Sequence, residues 1–177
     1  MCNSFSKNSS YIFSKTIICS LLAVCSINVN AATATSNLSV TATVVASCTI
    51  TTNAVAFGAY DPLVANKTAN LDSTGTVTVT CTNGSISTIT LGQGANATAG
   101  STDVAPLRQM AATTNRLSYQ LYTDAARLVV WGNTVGAGVA RTGSGVADPL
   151  TVYGNVTAGQ NVPAGSYSDT VVATVTF

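Results

Sequence analysis

Histidine and glutamate are absent from this chain, and six aspartates face seven lysines and arginines as its only charged side chains. Acid–base and metal chemistry at neutral pH draws chiefly on His, Glu and clustered carboxylates, so most enzyme classes, a resident metal and a cofactor are not expected. No basic run offers an electrostatic footprint for phosphates, which argues against nucleic acid as a partner. Charge is scarce as well, at 7% of 177 residues against 46% hydrophobic, a balance that fits neither a disordered chain nor an ordinary cytosolic domain. One compact domain is the ceiling at this length. What is abundant is 28 Thr and 21 Val, β-branched residues that suit a pleated, half-buried surface, so the fold class is all-β.

The N-terminus carries Lys7 and Lys15, an apolar stretch from Thr16 to Val24, and the small-residue pattern Val29-Asn30-Ala31. This reads as a secretory signal peptide over residues 1–31, cleaved after Ala31 or, alternatively, after Ala32. A lipoprotein signal ending at Cys25 is a competing reading, disfavoured because bulky Val24 stands where a small residue is needed. Cleavage leaves about 145 residues, enough for one sandwich-sized core. It also removes Cys2, Cys19 and Cys25 and leaves Cys48 and Cys81, which in an exported protein read as one structural disulfide.

From Ala34 the sequence alternates: Ala34, Ser36, Leu38, Val40, Ala42 and Val44 fall on one face, and Thr35, Asn37, Ser39, Thr41 and Thr43 on the other. Period two over this span predicts a long strand, an N-terminal arm over residues 32–46 that needs a groove to lie in. Behind it, residues 47–177 form the domain. Short strands are expected at Ala54 to Phe57, at Thr76 to Thr82 with Val77, Val79 and Cys81 inward, and at Ile86 to Leu91 after an Asn83-Gly84 hairpin turn. Asp61, within Gly58-Ala59-Tyr60-Asp61-Pro62, reads as a turn former rather than an acid. A loop is expected from Gly92 to Ala105. Leu117 to Tyr122 and Arg127 to Trp131 read as a hairpin, with Trp131 as a core anchor rather than a sugar-stacking ring. Gly136-Ala137-Gly138 fails as a phosphate loop because Arg141 replaces the required glycine, so residues 132–148 read as loop. The last strands are Leu150 to Val156 and Tyr167 to Phe177; the latter places Tyr167, Val171, Ala173, Val175 and Phe177 on one face. The turn spacing indicates a β-sandwich.

The alternating arm, Cys48 behind it, Phe57-Gly58-Ala59-Tyr60-Asp61-Pro62, Tyr119-Gln120-Leu121-Tyr122, Trp131-Gly132 and Gly165-x-Tyr167-x-Asp169 together resemble the spore coat protein U domain family. Within it the chain looks most like the major rod subunits of archaic chaperone-usher pili of the Csu type. The resemblance implies an incomplete immunoglobulin-like β-sandwich lacking its last strand, completed by donor-strand complementation. It implies Ala34, Ser36, Leu38, Val40, Ala42 and Val44 as the donor face, and Tyr167, Val171, Ala173, Val175 and Phe177 as the acceptor groove and chaperone contact. The implied partners are identical subunits in a linear homopolymer, a periplasmic pilus chaperone, an outer-membrane usher, and minor and tip subunits. The product would be a surface pilus supporting adhesion and biofilm formation. The chain departs from better-known pilins in ending at Phe177 with Gly165 nearby, where those have a penultimate Tyr and a more distant Gly.

A rival class shares every local strand: a monomeric secreted coat or carbohydrate-binding protein whose arm pairs in cis. An enzyme would need a paired site, and Lys67, the one lysine after the leader, lies in a polar stretch beside Asn66 and Thr68.

Overall fold

The structure, a computed structural model, describes residues 30–177. The leader reading lies outside the described residues except for Asn30 and Ala31. Contacts divide the chain after Thr41. Residues 30–41 carry no secondary structure and are exposed throughout.

The domain from Ala42 onward holds eight strands: β1 (Cys48–Asn53), β2 (Leu71–Cys81), β3 (Ile86–Leu91), β4 (Arg108–Ala112), β5 (Asn115–Tyr122), β6 (Val139–Thr142), β7 (Asp148–Val156) and β8 (Ala173–Thr176). A single 3-10 turn, Val135–Ala137, precedes β6. Five strands form one sheet in the order β1-β2-β7-β5-β4, and three form the other in the order β6-β3-β8, with every pairing antiparallel. This is the β-sandwich expected from the turn spacing, in the immunoglobulin-like form that the resemblance implies. Alternate side chains of each sheet turn inward, as the period of two demands. Val77 and Val79 of β2, Ile89 and Leu91 of β3, Leu117, Tyr119 and Leu121 of β5, and Leu150, Val152 and Val156 of β7 make the core with Trp131.

Two residues tie the sheets together. Trp131 is 1% exposed; its backbone N–H donates to Leu121 O of β5 (2.9 Å) and its indole Nε1–H to Ile89 O of β3 (2.9 Å). Arg108 of β4, also 1% exposed, sends Nη2 to the carbonyls of Leu91, Gly92 and Trp131 at 2.9, 2.7 and 2.7 Å, Nε to Gly92 O at 2.9 Å and Nη1 to Gln120 Oε1 at 2.6 Å. A guanidinium carries five donors in a fixed fork, so it alone among side chains can serve this ring of acceptors. Burial pushes it down to about 10, which leaves it protonated at neutral pH.

Several expectations change. The strand expected over residues 34–44 has no secondary structure; a strand needs a hydrogen-bonded neighbour, and none of the described residues pairs with it. Ala54 to Phe57 is not a strand, and the first strand lies just before it, at β1. Asn83-Gly84 makes a turn, with Gly84 at φ +81 and Ser85 N–H on Thr82 O at 3.0 Å. That turn carries the chain from one sheet to the other instead of closing a hairpin. The Leu117 to Trp131 hairpin shrinks to a single bridge, Tyr122 with Val130, because β5 pairs instead with β4 and β7. Residues 132–148 contain β6. The last strand is confined to β8, since Ser168 bridges to Ala111 at the edge of the five-stranded sheet before the chain crosses to β3. Asp61 is a turn former: its Oδ1 accepts the N–H groups of Leu63 (2.9 Å) and Val64 (3.1 Å).

Candidate functional site

β1 and β8 are each the outer strand of their sheet, and between them the sandwich is open at one end. The opening is a groove of about 1030 Å³ whose floor is the core itself: Val77, Leu91, Leu117, Tyr119, Leu121, Val152 and Val156. One wall is the segment from Ala54 to Leu63 after β1, and the other runs from Asn161 to Asp169 and on through Val171 and Ala173. The lining takes Thr52 and Asn53 of β1 and Leu71, Thr76 and Val77 of β2, but neither Cys48 nor Cys81. Since Asn53 faces Thr76 and Cys48 faces Cys81 across the β1–β2 ladder, the groove occupies the end remote from the disulfide.

Both walls are pinned. Ser73 Oγ donates to Ala56 O at 2.6 Å, and the Tyr60 hydroxyl donates to Thr157 O at 3.0 Å while accepting Gln160 N–H at 2.9 Å. Val55 and Phe57 lie against β2 and β7 where those strands carry glycine. A Cβ on Gly154 would stand 2.6 Å from Val55 Cγ1 and 2.8 Å from Phe57 Cζ, and one on Gly75 would stand 2.7 Å from Val55 Cγ2. Glycine at these two positions lets the wall lie flat on the sheet. Phe57 meets Tyr119 edge to face, with centroids 6.0 Å apart.

The groove has one polar corner. The Tyr119 hydroxyl donates to Asp169 Oδ2 at 2.7 Å, and Asp169 Oδ1 accepts the Asn96 backbone and side-chain N–H groups at 3.1 and 3.0 Å. Burial, then the hydrogen bond to the carboxylate, pushes the Tyr119 phenol well above its ordinary range. With its donors and acceptors matched, this corner anchors the second wall against β5 and offers no free nucleophile or base.

The residues expected from sequence are placed as follows. Cys48 and Cys81 are bonded to each other. Ala34, Ser36, Leu38, Val40, Ala42 and Val44 are exposed, Leu38 at 87%, Val40 at 85% and Val44 at 83%. Tyr167, Val171 and Ala173 line the groove. Val175 packs against the core beyond it, and Phe177, past the end of the β3–β8 ladder and 56% exposed, does not line it. The sequence reading missed most of the first wall as groove, together with Met110 and the floor of β5 and β7. A signal existed in Phe57-Gly58-Ala59-Tyr60, whose aromatics are too large for a solvent turn. Arg108 gave none, since a lone Arg between Leu107 and Gln109 reads as surface. Trp131 is sealed in the core, so its face is closed to a sugar ring.

A search of the solved structures finds the CsuC–CsuE chaperone–tip adhesion subunit pre-assembly complex from archaic chaperone-usher Csu pili of Acinetobacter baumannii. That match has a TM-score of 0.45 and 21% identity over 76% of this chain, and the chain spans 40% of the length of the chain it matches. Protein U of Myxococcus xanthus is 49% identical over 155 residues, covering 83% of this chain and 87% of that protein. The family model of the Spore Coat Protein U domain matches residues 34–174. On that match and that identity, this chain belongs to the Spore Coat Protein U domain family.

Proposed function

We propose that this chain is a structural subunit of a surface pilus, polymerised by donor-strand exchange through the chaperone-usher pathway. In this reading the arm of one copy fills the groove of the next. The observation that carries it is a match of two incomplete halves: a groove of about 1030 Å³ open over the core, and an alternating segment whose apolar residues Leu38, Val40 and Val44 are exposed. β8 offers an unpaired strand edge beside the groove, so an inserted strand gains main-chain hydrogen bonds from β8 and side-chain burial from the floor. Burying those three side chains gives a gross gain of about 5–9 kcal/mol before ordering costs. A rod built this way dissociates very slowly.

The signal peptide over residues 1–31 takes the chain into the periplasm, the arm is 32–46 and the pilin domain 47–177. Before assembly a periplasmic chaperone covers the groove, and the outer-membrane usher exchanges it for the arm of the incoming copy. Minor and tip subunits complete the fibre, which supports adhesion and biofilm formation at the cell surface. The family's description as a Spore Coat Protein U domain favours a second reading, a secreted coat protein whose arm fills its own groove. Electrophoresis of the exported protein without boiling separates them. A ladder of detergent-resistant multimers is expected; a single monomer band would establish the coat reading instead.

A further inference from the structure

We propose that Thr82 is a positioning residue that holds the root of the arm, residues 45–47, in line with β1 and so directs the arm to a second copy of the chain rather than to its own groove. The proposal rests on the donor-strand reading above. β1 pairs with β2 up to Cys48 opposite Cys81, and one step further the ladder changes character. Thr82 N–H donates to Ser47 O at 2.9 Å, but Thr82 O is engaged by Ser85 N–H in the turn between the sheets. The Thr82 hydroxyl takes the place of that carbonyl: Oγ1 accepts Ser47 N–H at 3.1 Å, and its own proton faces Ser47 O at 3.3 Å and Val45 O at 3.5 Å. Side chain and backbone of one residue thereby extend the β1 line past the disulfide.

The consequence is topological. The groove lies at the Asn53 end of β1 and the arm leaves at the Ser47 end, about 20 Å away at the rise of a strand. For an arm to fill its own groove it must reverse direction at its root. Thr41 to Ser47 contains no Gly, Pro, Asn or Asp, and its one serine, Ser47, is held by Thr82; tight reversals favour such residues. With residues 45–47 held by Thr82, the reversal is pushed back onto Ala42 to Val44, which removes two members of the apolar face from insertion. Insertion into another copy uses the whole face.

Two full-length variants test this, with Thr82→Ser as the control that keeps the hydroxyl. Thr82→Val removes the hydroxyl at constant shape, and Val45→Asn with Ala46→Gly installs turn chemistry at the exposed root. Each exported, oxidised protein is resolved into multimers and monomers on unboiled gels, and the monomers are offered a synthetic peptide of residues 32–47. Wild type and Thr82→Ser are expected to form ladders and to leave monomers that take up the peptide. Loss of one such hydrogen bond shifts an equilibrium about fivefold, so Thr82→Val should show about fivefold more monomer that excludes the peptide, and the Asn-Gly variant should raise the same fraction. Wild-type behaviour from a folded Thr82→Val, or from both variants, overturns the proposal. Should Thr82→Val fail to fold, the Asn-Gly variant decides alone, and an unchanged peptide-excluding fraction overturns it. Absence of ladders and of peptide uptake in wild type as well overturns the donor-strand reading, and this inference with it.

Discussion

Replacing Arg108 with methionine should cost the domain about 3 kcal/mol, an amount set by the carbonyls the change strands. The guanidinium serves Leu91 O, Gly92 O and Trp131 O, all within 2.9 Å, and Gln120 Oε1 at 2.6 Å. Gln120 Oε1 keeps a second donor, Leu121 N–H at 2.9 Å, so three acceptors lose their side-chain partner. Each buried acceptor left unmade costs about 1–3 kcal/mol, a gross loss of about 3–9, against which removing a buried charge returns several kcal/mol of desolvation. Methionine fills the space of the stem, so cavity formation adds little.

The assay is urea unfolding of the oxidised protein followed by fluorescence of Trp131, the only Trp of the chain and itself one of the residues Arg108 holds. With a slope of about 1–3 kcal/mol/M, the midpoint should fall by roughly 1–3 M. Arg108→Lys should fall between the two, because an ammonium has three donors and no fork. An unchanged midpoint in Arg108→Met would refute the reasoning: the carbonyls would then be satisfied without the guanidinium, and the tie between the sheets would be energetically idle.

Other expectations can be checked on the same material. Cys48 and Cys81 lie 33 residues apart, so Cys48→Ser with Cys81→Ser should lose about 4 kcal/mol on the chain-entropy model, read as a lower urea midpoint that reductant leaves unchanged. Gly154→Ala should push Val55 and Phe57 off β7 and weaken binding of the peptide of residues 32–47 more than it lowers the midpoint; equal binding would show the wall to be compliant. Val40→Arg should abolish multimers by forcing a charge into an apolar groove, while Thr41→Arg on the opposite face should not; equal ladders from both would overturn the face assignment. The Tyr119 phenol is held up in the folded state and titrates near 10 when unfolded. The unfolded chain thus releases a proton first, and stability present below pH ~10 is lost above it. Tyr119→Phe should flatten that alkaline slope, and an identical slope would remove Tyr119 as its source.

What the sequence disclosed and what it hid divide along a physical line. Val77, Val79 and Cys81 were legible as one inward face because alternation is enforced by the backbone of a single strand, whatever its partner. Ile86–Leu91 was legible to the residue, being a run of Ile, Thr and Leu bounded by a turn. β1 was not, since in Cys48-Thr49-Ile50-Thr51-Thr52-Asn53 threonine occupies both faces and only Cys48 and Ile50 are shielded. β4 was not, since its buried member is an arginine. Asn83-Gly84 disclosed a turn but not that the strands it joins belong to different sheets, because turn chemistry is local and sheet membership is not. The groove was the least legible feature: its walls, residues 54–63 and 161–173, lie far apart in sequence and are brought together by the folded sheet.

The arm and the C-terminal segment sharpen the same distinction. Both alternate. In residues 167–175 the alternation appears as side chains that are half-buried at every second position, although ladder pairing covers only Ala173–Thr176. In residues 34–44 the same alternation meets no cover, and every side chain is exposed. Periodicity therefore specifies which side of a segment seeks burial and leaves open which surface provides it. For the C-terminal segment that surface is β3 and the core of its own domain. For the arm, whose root from Thr41 to Ala46 holds no Gly, Pro, Asn, Asp or Ser, the donor-strand reading proposed above supplies that surface as the open floor of another copy.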